Sequence, residues 1–388
     1  MAMGVADRPD GRAAEQVYRL VWATLGLFVG GTALGLAWDR GWHASHRFES
    51  FWSPPHLFIY TVLGVTTLAL AHVARARRLR ACLGAGVRVP ALPFPLPGAL
   101  ALAAGGLTTI WLGGALDSVW HTAFGLDETG WSLPHATLGE GLLLTFLGLV
   151  ACRLALVRRW PLAPYSAALL AFLALLFAPT PLGPLGHNHT VAWVAAIARL
   201  PVLADQESAQ HTFRIYEAWN LTRAHPAFAP LAAFVVGGGL AVAGGLTHRR
   251  WLLLLVVLAA SLLPLGGDYR VARALGLAAV PGAWLPLPYL PATVALLLAR
   301  AVRLPEPLSW AAAGLAFGGA TAASWGAPPL LALAAGPAMA AGAMAGQWAL
   351  HTLEAPSARR VGVLLGLLGV GLPLVCGAVD LFLRMHTP

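Results

Sequence analysis

DRGWHASHRFESFWSPPHLFIY, residues 39–60, sets the end of one apolar run, 18–42, against the start of the next, 54–74. Asp39 and His43 stand one helical turn apart, so a helix carries both on one face. Twelve residues later His56 follows Ser53-Pro54-Pro55. Proline in a first turn costs little because its missing N–H has no partner there, and serine is a good N-cap. The stretch therefore reads as helix, turn, helix, with a carboxylate and two imidazoles at the turn. Flanked by runs this apolar, it reads as a pair of membrane spans.

The pattern recurs. Asp117, His121 and His135 repeat it with thirteen residues between the histidines, and Glu207, His211 and His225 repeat it with glutamate in place of aspartate. The first two copies also share wording: Trp42-His43 against Trp120-His121, and Trp52-Ser53-Pro54-Pro55-His56 against Trp131-Ser132-Leu133-Pro134-His135. A period of about 80–90 residues reads as an internal triplication. The third copy lacks the W-S-x-P-H wording.

Composition agrees with a membrane protein. Charged residues are 11% of the 388, hydrophobic residues 58%, and the mean hydropathy is +0.70. A soluble domain carries about twice that charge. The net charge of +9 is all arginine, clustered in short loops between apolar runs, which is topology information and excludes nucleic acid as a partner. Cys82, Cys152 and Cys376 lie far apart without C-x-x-C spacing, so no structural disulfide is expected. The first apolar run has no small-residue cleavage site after it and reads as a retained span.

A bilayer core takes roughly 20 apolar residues per helix. That ruler gives an all-α polytopic bundle of about eleven spans near 18–42, 54–74, 97–121, 134–157, 162–182, 226–247, 251–266, 284–303, 308–324, 328–350 and 361–383. Three parts follow: an N-terminal tail, 1–16; three motif-bearing helical hairpins, 17–250; and a bundle without the motif, 251–388. Arginine-rich loops at 75–80, 153–159, 249–250, 300–303 and 359–360 place the tail and these loops in the cytoplasm. All three motifs then face the periplasm or exterior of a bacterial inner membrane. Residues 183–225 are the longest stretch outside a span and read as an interfacial helix or lid.

Two imidazoles and a carboxylate suit copper, zinc, iron or nickel, and no thiolate or methionine cluster selects Cu(I) alone. A buried, unpaired carboxylate costs about 2.5–3.5 kcal/mol even on the lenient insertion scale, which a bound cation offsets. Three protein ligands leave coordination positions open for chemistry or exchange. Taken singly, each histidine has a plain interfacial reading; the repetition favours ligands. Glu49 and Glu128 sit seven residues ahead of His56 and His135, as further ligands, proton relays or solvated loop acids. His187 and His189 form a candidate capture pair. Glu140, about a turn inside its span, reads as a support to the metal ligands, and Asp380 as an intramembrane acid.

The Asp39-x3-His43-x12-His56 motif, running through Phe51-Trp52-Ser53-Pro54-Pro55, resembles the copper motif of the C subunit of particulate methane and ammonia monooxygenases. The resemblance implies copper at Asp39, His43 and His56, and a second set at Asp117, His121 and His135 with one extra loop residue. It covers some 20–25 residues per copy. The family's subunit is shorter, carries one such motif, and works with two partner subunits, one bearing a cupredoxin-type part this chain lacks. The resemblance thus speaks for copper more than for alkane oxidation. Three functions stay open: a copper oxidoreductase, monooxygenase-like, acting on a small lipophilic substrate or a quinol; a protein for metal capture, transport or metallocentre assembly; and hairpins stapled by metal. Copper leads, with zinc or iron as alternatives. The bilayer and metal ions are the expected partners, with a homo- or hetero-oligomer open.

Overall fold

The computed structural model describes residues 11–43, 51–84, 86–89, 92–124, 132–179, 207–221, 225–274, 289–325 and 328–388, without the side chains of 40, 41, 43, 208, 209, 263–274, 324 and 325. The described chain is helical apart from one two-residue antiparallel pairing, Gly86–Val87 with Leu96–Pro97. Its helices are α1 (Gly11–His43), α2 (Pro54–Arg75), α3 (Gly98–Phe124), α4 (Leu133–Ala155), α5 (Pro164–Phe177), α6 (Glu207–Ala218), α7 (Phe228–Thr247), α8 (Arg250–Ala274), α9 (Tyr289–Ala301), α10 (Glu306–Trp325), α11 (Pro329–Leu333), α12 (Ala335–Glu354), α13 (Ala358–Gly366) and α14 (Leu372–His386). A turn of π-helix, Leu367–Gly371, joins α13 to α14.

Seven of the described helical segments are long and apolar enough to cross a membrane: α1 over Gly11–Asp39, α2, α3, α4, α7, α11–α12 as Pro329–Glu354, and α13–α14 as Ala358–His386. This fits a multi-pass membrane protein; among the described residues, seven of the eleven spans read from the sequence have full length. Among the described residues, Pro164–Phe177 and Tyr289–Ala301 are shorter apolar helices, and Arg250–Leu262 is the apolar part of α8 whose side chains are described. At 1.5 Å per residue, the fourteen residues of Pro164–Phe177 fall short of a core of about 30 Å. Helix α10 has the length but is not among the seven.

The described helices group into two compact units. The first comprises residues 1–120, 137–161 and 351–374. Here α1 buries Ala14, Val17, Val21, Leu25 and Phe28, the three-and-four spacing of a helix stripe. It packs on α2. Helices α3 and α4 cross backbone to backbone. A Cβ at Gly106 would fall on the backbone nitrogen of Thr145, and one at Gly148 on the backbone of Ala103. Such small-residue contacts let membrane helices approach closely where no hydrophobic drive exists. At one end of the unit Arg153, 1% exposed, donates from Nη2 to the Trp160 carbonyl at 2.8 Å and lies 5.1 Å from the Tyr18 ring centroid.

The second unit comprises residues 121–136, 162–350 and 375–388. Helix α5 packs on α7, and α9 on α10. The Tyr289 hydroxyl donates to the Leu175 carbonyl at 3.0 Å, so a buried phenol is satisfied. Helices α7 and α12 meet at Gly238, Gly342 and Gly346.

Candidate metal centre

Asp117 and His121 lie near the end of α3, one turn apart, and His135 is the third residue of α4. The start of α4 fixes that position. The Ser132 carbonyl accepts the first helical bond, from the Ala136 N–H at 2.8 Å, which makes Ser132 the N-cap by backbone. Pro134 locks the first turn. One donor atom from each of Asp117, His121 and His135 lies within 4.8 Å of the other two. All three side chains are partly buried, and the imidazole centroids of His121 and His135 are 6.3 Å apart. Donors at about 2.1 Å from a tetrahedral ion stand about 3.4 Å apart. The group therefore fits a first-row metal after a small inward rotation of its rings. The chain thus carries a candidate Asp/His/His metal-binding group, and it is the one such group among the described residues.

The first copy has the same start. The Ser53 carbonyl accepts from the Leu57 N–H at 3.0 Å, with prolines at the first two helical positions. His56 therefore occupies the same third position in α2 that His135 occupies in α4. His56 Nε2 lies 3.2 Å from Asp39 Oδ1, both side chains under a fifth exposed. The side chain of His43 lies outside the described residues. Tyr60 sits 5.9 Å from the His56 ring and 5.0 Å from Phe51, and Trp111 lies 6.3 Å beyond Tyr60. Neither serine caps its helix through the hydroxyl. Both hydroxyls are buried, with no hydrogen-bond partner among the described residues.

The third copy is used differently. Glu207 and His211 lie on α6, a short helix that buries Thr212, Ile215 and Tyr216 and exposes Arg214 and Glu217. His211 Nε2 lies 3.1 Å from the Thr387 carbonyl, Arg214 Nε donates to the Pro388 carbonyl at 3.0 Å, and Trp219 Nε1 to Thr387 Oγ1 at 2.9 Å. Trp219 also meets Phe382, itself stacked on His386. His225 Nδ1 accepts the Ala227 N–H at 3.0 Å, just ahead of α7. Glu207, His211 and His225 are therefore not gathered into a ligand set, unlike the expectation from their spacing. Burial holds the His225 imidazole below its ordinary range.

That shift carries a pH prediction. A depressed imidazole binds fewer protons folded than unfolded, so stability rises with pH between the folded and unfolded values. It is complete above about 6.5, the unfolded value, and falls as pH drops below it. His225→Asn keeps an acceptor and removes the titration. Thermal unfolding in detergent between pH 7.5 and 5 should show a smaller acid loss in H225N than in the wild type; equal losses exclude His225 as the source.

Glu140 is 2% exposed and its Oε2 has no hydrogen-bond partner among the described residues. Asp380 is fully buried and pairs with Arg384 Nε at 2.8 Å, a partner one turn away that spacing alone could have named. Glu49, Glu128, His187 and His189 lie outside the described residues. Comparison with protein-family models, with curated proteins and with solved structures finds no match.

Proposed function

We propose that this chain is a copper protein of a bacterial inner membrane, with metal centres on the external face, acting as a monooxygenase-like oxidoreductase. The observation that carries the reading is the convergence of Asp117, His121 and His135 within 4.8 Å. The Asp39–His56 pair at 3.2 Å supports a second centre of the same make, for which the sequence motif names His43 as third ligand. Imidazole with carboxylate accommodates copper, zinc or iron; the motif's resemblance to the monooxygenase C subunit favours copper. Three protein ligands leave a position for oxygen or substrate, and the aromatic surroundings of the first pair suit a lipophilic substrate or a quinol. The arginine-rich loops support the orientation.

Partial exposure of the ligands favours a second reading, metal capture and delivery to another enzyme's centre, since a carrier must exchange its ion. Elemental analysis and EPR on the purified full chain test the metal. Copper close to two per chain, with imidazole nitrogen splitting, is expected, falling to one in the Asp39→Ala/His56→Ala double variant. A chain purified with neither copper nor another transition metal, and taking up none, overturns the reading. Oxygen consumption with a quinol donor separates enzyme from carrier.

A further inference from the structure

Glu140 belongs to no ligand set, yet it is the acid most completely enclosed in the α3–α4 pair. It lies five residues beyond His135, about 7.5 Å further along α4. Leu138 and Gly141, on either side of it, pack on Gly113 and Ile110 of α3. Leu144, one turn on, packs where Gly369 of the π-helical turn comes down on α3 and α4; a Cβ at Gly369 would stand 3.3 Å from Leu144 Cδ1 and 3.2 Å from Thr109 Oγ1. Glu140 is thus closed in by α3, its own helix and the turn Leu367–Gly371.

A carboxyl in such a place is either a paired carboxylate or a neutral acid. Among the described residues, α3 and the turn Leu367–Gly371 carry no arginine or lysine, and His135 is the nearest ionisable residue along α4. Helix α3 holds only Asp117 and His121 as ionisable groups, four and eight residues beyond Gly113. Residues 361–375 of the last span hold none. Helix α1, which meets α4 beside Arg153, has none between Arg19 and Asp39. On α4 itself, Arg153 and Cys152 are thirteen and twelve residues away, about 20 Å for the arginine. The nearby hydroxyls of Thr109 and Thr145 donate to their own helices' carbonyls, Gly105 at 3.0 Å and Gly141 at 2.8 Å, and keep lone pairs that a sodium ion would need in number, an occupant the test below separates from a proton. A proton needs one oxygen. The π-helical turn, with its wider ladder, gives the covering span a joint beside the acid.

We propose that Glu140 is an intramembrane proton-binding site, taking up and releasing a proton under the π-helical turn of the last span. This stands apart from the metal reading, and its test needs no metal. Dicyclohexylcarbodiimide reacts with protonated carboxyls in apolar surroundings. The acid proton moves to a carbodiimide nitrogen, the carboxyl oxygen adds to the central carbon, and the acyl group then migrates to nitrogen as a stable N-acylurea. No atom is lost and no redox change occurs.

The full chain in native membranes, labelled over a pH series and mapped by mass spectrometry, should carry the adduct on Glu140 and not on the Arg384-paired Asp380. Labelling should fall as pH rises, and E140Q should lose it altogether. Infrared difference spectra provide a readout independent of reagent access: a protonated-carboxyl C=O band that disappears on raising pH and is missing in E140Q. Absence of both signals in folded protein overturns the proposal. So does labelling unchanged across the pH series, which marks an acid that never exchanges, or protection by sodium ions at fixed pH, which marks a metal-cation site.

Discussion

His121→Ala will cost the α3–α4 centre more than about 100-fold in metal affinity. Replacing a group that only supports a ligand costs 10–100-fold, and His121 is itself one of the three donors within 4.8 Å. Its loss leaves Asp117 and His135 as a two-point contact that water can displace. The helices should survive, because the ring is partly exposed at the end of α3 and leaves no sealed cavity. Asp117→Asn should be milder: it keeps an oxygen donor and removes the charge that attracts the cation. His211→Ala is the control, since that ring lies against the Thr387 carbonyl. Titration calorimetry with Cu(II) and Zn(II) on chelator-treated protein separates the three. A ligand at a hundred times its dissociation constant adds about 2.7 kcal/mol to stability. The wild-type melting temperature should therefore rise with metal, and the H121A rise should shrink to what the first copy provides. Wild-type affinity and stoichiometry in H121A would remove the centre from α3–α4.

The site was legible because it is local. Acid-x3-His is a statement about one helix turn, and Ser-x-Pro-His about the start of the next, so Asp117, His121 and His135 could be named without coordinates. The matched third-position histidines, His56 and His135, follow from the same wording. What spacing could not reveal is competition from far along the chain. Glu207-x3-His211 satisfies the first half of the pattern, yet His211 meets a carbonyl 176 residues away. The lost W-S-x-P-H wording before His225 was a sign of a different role: this ring accepts a backbone N–H ahead of α7 instead of riding in a helix's first turn. The spans were legible as apolar runs but not as lengths. Pro164–Phe177 is a helix of fourteen residues where a span over 162–182 was expected. The enclosure of Glu140 was visible only as an acid in an apolar run. Its walls come from α3 and from residues more than two hundred positions later.

Gly148→Leu should break the α3–α4 crossing and weaken metal binding by the residues these two helices carry. A Cβ at position 148 would fall on the backbone nitrogen and Cα of Ala103, with Ala103 Cβ 2.6 Å away. A side chain can rotate aside; a helix backbone cannot, so α3 and α4 must part. Overpacking a core costs typically about 1–3 kcal/mol when side chains can shift, and here the crossing itself has to open. Loss should exceed that range for leucine and approach it for Gly148→Ala. Gly114 on α3 is the matched control. A Cβ there meets nothing within 4 Å, and replacing glycine by alanine in a helix gains about 1 kcal/mol of propensity. Gly114→Ala should therefore be neutral or slightly stabilising in thermal unfolding of the detergent-solubilised chain. The metal readout extends the comparison. His121 and His135 sit at the end of the same helix pair, so widening the crossing at Gly148 separates donors carried by two rigid rods. Weakened copper binding in G148A with the secondary structure intact is the expected signature. A G148L chain that melts with the wild type and binds metal equally well would show that α3 and α4 do not cross as described.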